Sequence, residues 1–207
     1  MTKRPVAVLA SGRGSNFQAL AKACASSDYP ARIVALFSDR RAAPALEFAK
    51  AAGIPTQYLS AKDFATRGEY DLAVSDVLAA YRPDFLCLAG YMRLLSPSFV
   101  KRWEGKIVNV HPSLLPSFKG LRAQAQALEA GVKIAGCTVH IVTEEMDAGP
   151  IIAQSPLVVE EGDTEESLSA RLLPLEHAAY VKAVRFLAEG RVKIENGRAT
   201  ILRAREE

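Results

Sequence analysis

Over the first 110 residues, short apolar runs alternate with stretches in which apolar residues recur every three or four positions. Residues 6–10 form a continuous apolar run, the pattern of a strand buried on both faces. Ser11-Gly12-Arg13-Gly14-Ser15-Asn16 then predicts a turn, and residues 17–24 predict a helix with Ser15 or Asn16 as the N-cap. Residues 33–37 predict a second strand that ends in Ser38-Asp39. A helix over 42–52 is stopped by Gly53 and Pro55. Residues 56–59 read as a short third strand, 69–81 as an amphipathic helix closed by Pro83, and 85–89 as a fourth strand leading into Gly90-Tyr91-Met92-Arg93. A short helix over 97–103 and a fifth strand over 107–110 complete this half. Strands that alternate with helical patterns predict a parallel, doubly wound α/β sheet of three layers.

The pattern changes after residue 110. One helix is expected over 123–130. Two long strand-like runs, 135–142 and 151–159, are separated by a segment short enough for an antiparallel pair. Residues 164–189 predict a long helix, with Asp163 able to cap it and Glu165 and Glu166 in its first turn. Asn196-Gly197, flanked by 191–194 and 199–202, is a hairpin signal. With no repeat, linker or low-complexity segment, the expectation is one domain over 1–207: a parallel half (1–110) and a half with an antiparallel C-terminal extension (111–207).

Composition narrows the function classes. An apolar fraction of 49% supports a real core, and a net charge of +3 gives no general reason to expect nucleic acid or an acidic membrane as partner. Cys24, Cys87 and Cys137 are odd in number and lack CxxC spacing, which argues against a disulfide framework or a cysteine zinc site and suits a reducing cytoplasm. Cys87 and Cys137 lie in apolar runs and read as core fillers. The apolar run after Lys3 and Arg4 is too short for a signal segment, and no stretch approaches the length of a membrane span.

Three constellations carry candidate chemistry. The glycine turn at 12–16 would present backbone N–H groups at a helix N-terminus, an anion site. A dinucleotide fingerprint requires glycine at position 17, where Phe17 stands, although Asp39 imitates its ribose-binding acid. A monophosphate is favoured over a dinucleotide, and a purely structural turn stays open. Next, Asn109 and His111 are two apart on an extended segment that Pro112 ends, so both point to one face. They read either as a polar strand end with a satisfied histidine or as an oxyanion donor and a proton carrier. No serine or cysteine has a nucleophile's setting, which suits direct transfer. Finally, Asp147 precedes Ala148-Gly149-Pro150, a tight re-entry into a strand that would fix its direction towards a histidine. It lies 36 positions after His111, so the sequence alone does not bring the two together. Glu144 and Glu145 read as solvated. His140 reads as a core histidine and His177 as part of a helix face. No set of His, Asp and Glu has metal-ligand spacing, so no metal is expected.

Ser11-Gly12-Arg13-Gly14-Ser15-Asn16, the run Asn109-Val110-His111-Pro112-Ser113-Leu114-Leu115-Pro116 and Asp147-Ala148-Gly149-Pro150 together resemble the phosphoribosylglycinamide formyltransferase family, in order and over nearly the whole chain. The resemblance implies a Rossmann-like sheet and a cytoplasmic, monomeric or weakly dimeric enzyme of purine synthesis. It implies small-molecule substrates, with no nucleic acid or membrane partner. The formyl group would pass from 10-formyltetrahydrofolate, a co-substrate and not a tightly bound cofactor, to the amine of glycinamide ribonucleotide. By position, Asn109, His111 and Asp147 would be catalytic. Gly14, Ser15 and Asn16 would hold the substrate phosphate, with Glu176 near the ribosyl phosphate. Met92, Arg93, Leu94 and Leu95 would line the folate pocket with Val142, Thr143, Glu144 and Glu145, and Val100 and Ile107 would pack nearby. Some relatives carry a lysine where this chain has Leu173, followed by Pro174, which leaves Arg13, Arg67 or Arg171 to meet the phosphate charge. A formyltetrahydrofolate hydrolase is the main rival. It usually carries an extra N-terminal domain, for which a first strand at Val6 leaves no room. A methionyl-tRNA formyltransferase would add a C-terminal RNA-binding domain, and a binding protein using only the glycine turn would leave Asn109, His111 and Asp147 without a role.

Overall fold

The computed structural model describes residues 2–203. Among these residues seven strands form one sheet in the order β3 (Thr56–Tyr58), β2 (Ala31–Ser38), β1 (Arg4–Leu9), β4 (Phe85–Leu88), β5 (Ile107–His111), β6 (Ile134–Ile141), β7 (Ile151–Val158), and β8 (Val192–Glu195) and β9 (Arg198–Ile201) form a separate two-stranded sheet. Residue contacts divide the chain at Val108/Asn109 into two compact units.

In the first unit, β1 (Arg4–Leu9) lies between β2 (Ala31–Ser38) and β4 (Phe85–Leu88), both parallel to it, and β3 (Thr56–Tyr58) extends β2 in the same sense. The continuous apolar runs are where the sheet is enclosed. Val6, Ala7, Val8 and Leu9 are all buried, as is the whole of β4. Helices α1 (Ser15–Ala25) and α2 (Pro44–Ala51) pack on β2. Helix α3 (Arg67–Ala79) turns Tyr70, Val74 and Leu78 inward at four-residue spacing. It also carries two buried polar groups, each with a partner on the segment of α4 (Pro97–Arg102). Asp71 accepts the Ser96 N–H at 2.6 Å, and the Ser75 hydroxyl accepts from the Trp103 indole at 2.8 Å.

Strand β5 (Ile107–His111) runs one residue further than its apolar pattern and ends at Pro112. In the second unit α5 (Ala123–Glu129) precedes β6 (Ile134–Ile141), which pairs antiparallel with β7 (Ile151–Val158). Helix α6 (Glu165–Ala188) packs on both. Strands β8 (Val192–Glu195) and β9 (Arg198–Ile201) form the expected hairpin about Asn196-Gly197, both with positive φ. Within the described residues no helix is long and apolar enough to cross a membrane.

Both expected helix caps are replaced. Helix α1 starts from Gly14, in the left-handed region at φ 69° and without a side-chain cap. A Cβ there would stand 2.8 Å from the Ala45 Cβ, so packing against α2 selects the glycine. Helix α6 is capped by Thr164 through a reciprocal box with Ser167. Asp163 serves beside it, accepting from the Ser167 hydroxyl, the Glu160 N–H and Arg171.

Candidate active site

In the second unit the end of β5 faces the end of β6. His140, on β6, is buried and donates from Nδ1 to the Ile141 carbonyl (3.0 Å), because a carbonyl only accepts. Its Nε2 therefore keeps a lone pair, which accepts from the Asn109 amide Nδ2 at 3.3 Å. That contact fixes which end of the Asn109 amide points to His140. Burial holds the His140 imidazole below its ordinary value, against an opposing pull from the Asp147 charge. His140 belongs with the candidate residues, although the apolar run around it reads as core.

His111 is buried as well. Its Nε2–H donates to the Phe118 carbonyl at 2.9 Å, and its Nδ1 lies 3.5 Å from Asp147 Oδ2. The other Asp147 oxygen is 3.8 Å from His140 Nε2. Asp147 is held by a backbone donor and by its own turn. Oδ2 accepts the Gly120 N–H at 2.8 Å, and Asp147 itself sits at φ 50°, a conformation that is costly outside glycine. Two residues on, a Cβ at Gly149 would lie 1.8 Å from the Ile141 carbonyl oxygen. Glycine is thus required where the chain folds back against β6, and Ile141 N–H to Pro150 C=O (2.9 Å) closes the turn. Asn109, His111, His140 and Asp147 make one cluster: an amide, two imidazoles and a carboxylate. Such a set has a hydrogen-bond donor for a developing oxyanion and a carboxylate at hand for a proton.

The segment after His111 is fastened by Thr138, buried on β6. Its hydroxyl donates to the Ser113 carbonyl (2.7 Å) and accepts from Leu115 N–H (3.0 Å) and Gln154 Nε2 (3.0 Å), which fills its capacity. Gln154 also donates to the Leu115 carbonyl at 2.9 Å. Gly136 belongs to the same packing, since a Cβ there would lie 2.6 Å from Leu114 Cδ2.

In the first unit, a cavity of about 230 Å³ is lined by the glycine turn 11–16 together with Arg40, Ala89, Gly90 and Met92. Arg13 and Arg40 are its cations, and Arg40 directly follows Asp39, the first residue after β2. Arg171, in the second unit, is already engaged. It is bound to Asp163 (2.6 Å), Glu160 (2.7 Å) and the Val158 carbonyl (3.0 Å). Arg67 opens α3 and is exposed.

The segment after β4 presents Met92 and Leu94 at 62% and 61% exposure, whereas the Arg93 guanidinium lies 4.7 Å from the Tyr70 ring centroid. Leu95 is half-buried, and Val100 and Ile107 are core residues. In the second unit Val142 is half-buried and Thr143, Glu144 and Glu145 are exposed, with Glu145 paired to Lys119 at 3.1 Å. Glu176 is half-buried on α6, where its charge helps burial raise the Cys137 thiol to about 11. Burial also lowers His177 on the same helix. No cluster of three or more His, Cys, Asp or Glu suited to a metal occurs among the described residues.

Residues 4–184 match the formyl transferase family model. The chain belongs to the formyl transferase family. It is 42% identical to phosphoribosylglycinamide formyltransferase of Escherichia coli (strain K12) over 194 residues, covering 94% of this chain and 92% of that protein. It is also 47% identical over 197 residues to the trifunctional purine biosynthetic protein adenosine-3 of Bos taurus, covering 95% of this chain but only 20% of that protein. The chain thus spans about a fifth of the length of that curated relative. The crystal structure of glycinamide ribonucleotide transformylase 1 from Symbiobacterium toebii superimposes with a TM-score of 0.95 at 46% identity, covering 97% of this chain and 95% of that one.

Proposed function

We propose that the chain transfers the formyl group of 10-formyltetrahydrofolate to the amine of glycinamide ribonucleotide. The observation that carries this reading is the convergence of Asn109, His111 and Asp147 at one site in a formyl transferase chain. The substrate amine attacks the formyl carbon, forming a C–N bond and a tetrahedral oxyanion. Asn109 and His111 stabilise that oxyanion, which replaces the Phe118 carbonyl as acceptor for the His111 Nε2–H. Asp147 orients His111 and receives, through water, the proton lost by the amine. Collapse breaks the bond to the folate N10, which takes up a proton as tetrahydrofolate leaves. No covalent enzyme intermediate is formed, and the folate is a co-substrate and not a resident cofactor.

In the first unit, the N–H groups of Gly14, Ser15 and Asn16 receive the substrate phosphate, and Arg13 and Arg40 supply the positive charge missing at Leu173. Met92, Arg93, Leu94 and Leu95 contact the folate. The test is absorbance turnover of 10-formyl-5,8-dideazafolate with and without glycinamide ribonucleotide. Turnover that requires the ribonucleotide, and that falls by at least about 100-fold in His111→Ala, is expected. Turnover without the ribonucleotide would assign a hydrolase instead.

A further inference from the structure

Asp39 occupies the place of a ribose-binding acid at the end of β2, yet its Oδ1 is taken by the Ser11 hydroxyl at 2.6 Å. The same Ser11 oxygen accepts the Met92 N–H at 2.8 Å, and the Ser11 N–H donates to the Gly90 carbonyl at 3.0 Å. Ser11 is buried, and it stands where the glycine turn leaves β1. One side chain thus joins the loops that follow β1, β2 and β4, beyond the sheet bonds Ala10 N–H to Phe37 C=O (3.0 Å) and Ala89 N–H to Leu9 C=O (2.8 Å). The Tyr91 ring packs edge-on against Phe37, with centroids 6.3 Å apart, and holds the β4 loop to the same place. Ser11 also lies on the wall of the cavity that both the glycine turn and Met92 line.

We propose that Ser11 and Asp39 are positioning residues that couple the phosphate-binding turn to the folate-contacting segment 92–95, so that a ligand on one lowers the cost of ordering the other. This rests on the functional reading above. Deleting the hydroxyl strands the Met92 N–H and the Asp39 carboxylate together, whereas an amide at position 39 still accepts from Ser11.

The test is calorimetric binding of 5,8-dideazafolate, which carries no formyl group, with and without saturating glycinamide ribonucleotide. The wild type is expected to bind the folate analogue about fivefold more tightly when the ribonucleotide is present. Ser11→Ala and Asp39→Ala are expected to bring that ratio close to unity and to raise both KM values more than they lower kcat. Asp39→Asn is expected to keep the ratio. Circular dichroism shows whether Ser11→Ala folds; if it does not, the comparison of Asp39→Ala with Asp39→Asn decides. A wild-type ratio of one, or an unchanged ratio in Asp39→Ala, overturns the coupling. A wild type that turns over without the ribonucleotide overturns the functional reading itself, a result the binding ratio does not imitate.

Discussion

Replacing Thr138 by valine keeps the shape of the side chain and removes a hydroxyl that makes three hydrogen bonds. Gln154 retains its bond to the Leu115 carbonyl, so the groups left stranded are the Ser113 carbonyl and the Leu115 N–H. Each unmade buried bond of this kind costs about 1–3 kcal/mol. Allowing for the better burial of a methyl group, the loss is about 2–4 kcal/mol. In a chain of this size that lowers Tm by about 5–15 °C. The stranded groups flank Leu114, just after His111 and Pro112, so kcat falls as well while the KM values change less. The assay is thermal unfolding followed by circular dichroism, with steady-state turnover measured on the same samples. Thr138→Ser retains the hydroxyl and is expected to recover most of both losses. A Thr138→Val protein whose Tm stays within about 2 °C of wild type would show that the hydroxyl does not hold this segment.

Other outcomes follow from the same geometry. His140 and His177 are both held below the ordinary histidine value by burial, so the unfolded chain takes up these protons first. Their contribution to stability is complete above about pH 6.5 and is lost as pH falls below it. Urea unfolding between pH 7 and 5 should show that decline, and a flat profile would contradict it. Gly149→Ala forces a Cβ against the Ile141 carbonyl and should cost about 2 kcal/mol or more, with turnover lost beyond the stability loss; a fully active variant would refute the close approach. Burial pushes the Cys24 and Cys137 thiols up to about 11, so iodoacetamide at pH 8 should modify them slowly until denaturant is added; rapid labelling of the native protein would show those thiols more open than they are here.

The elements were legible because burial writes itself into the sequence. The runs in β1, β2 and β4 are apolar without a break where the sheet is covered on both faces, and the antiparallel pair β6 and β7 is visible as two long runs about one short acidic loop. What the sequence hid was decided by neighbours. Ser15 and Asn16 looked like caps, yet Gly14 starts α1 because Ala45 leaves no space for a Cβ. Asp163 looked like a cap, yet Arg171 and Ser167 claim it. Those contacts also remove Arg171 as a free cation. His140 looked like core because strand periodicity tells which side a residue faces and not what it meets there. Only the fold brings it to Asn109. Asn109, His111 and Asp147 were each visible from local chain direction, and the closing of 36 positions between the last two is a product of tertiary structure.

The proposed direct transfer is tested most directly by following the formyl carbon. With formyl-labelled 10-formyltetrahydrofolate and excess glycinamide ribonucleotide, the label is expected in formylglycinamide ribonucleotide, with none appearing as formate. His111→Ala is expected to abolish the transfer without diverting label to formate. Label released as formate by the wild type, at a rate independent of the ribonucleotide, would contradict the mechanism.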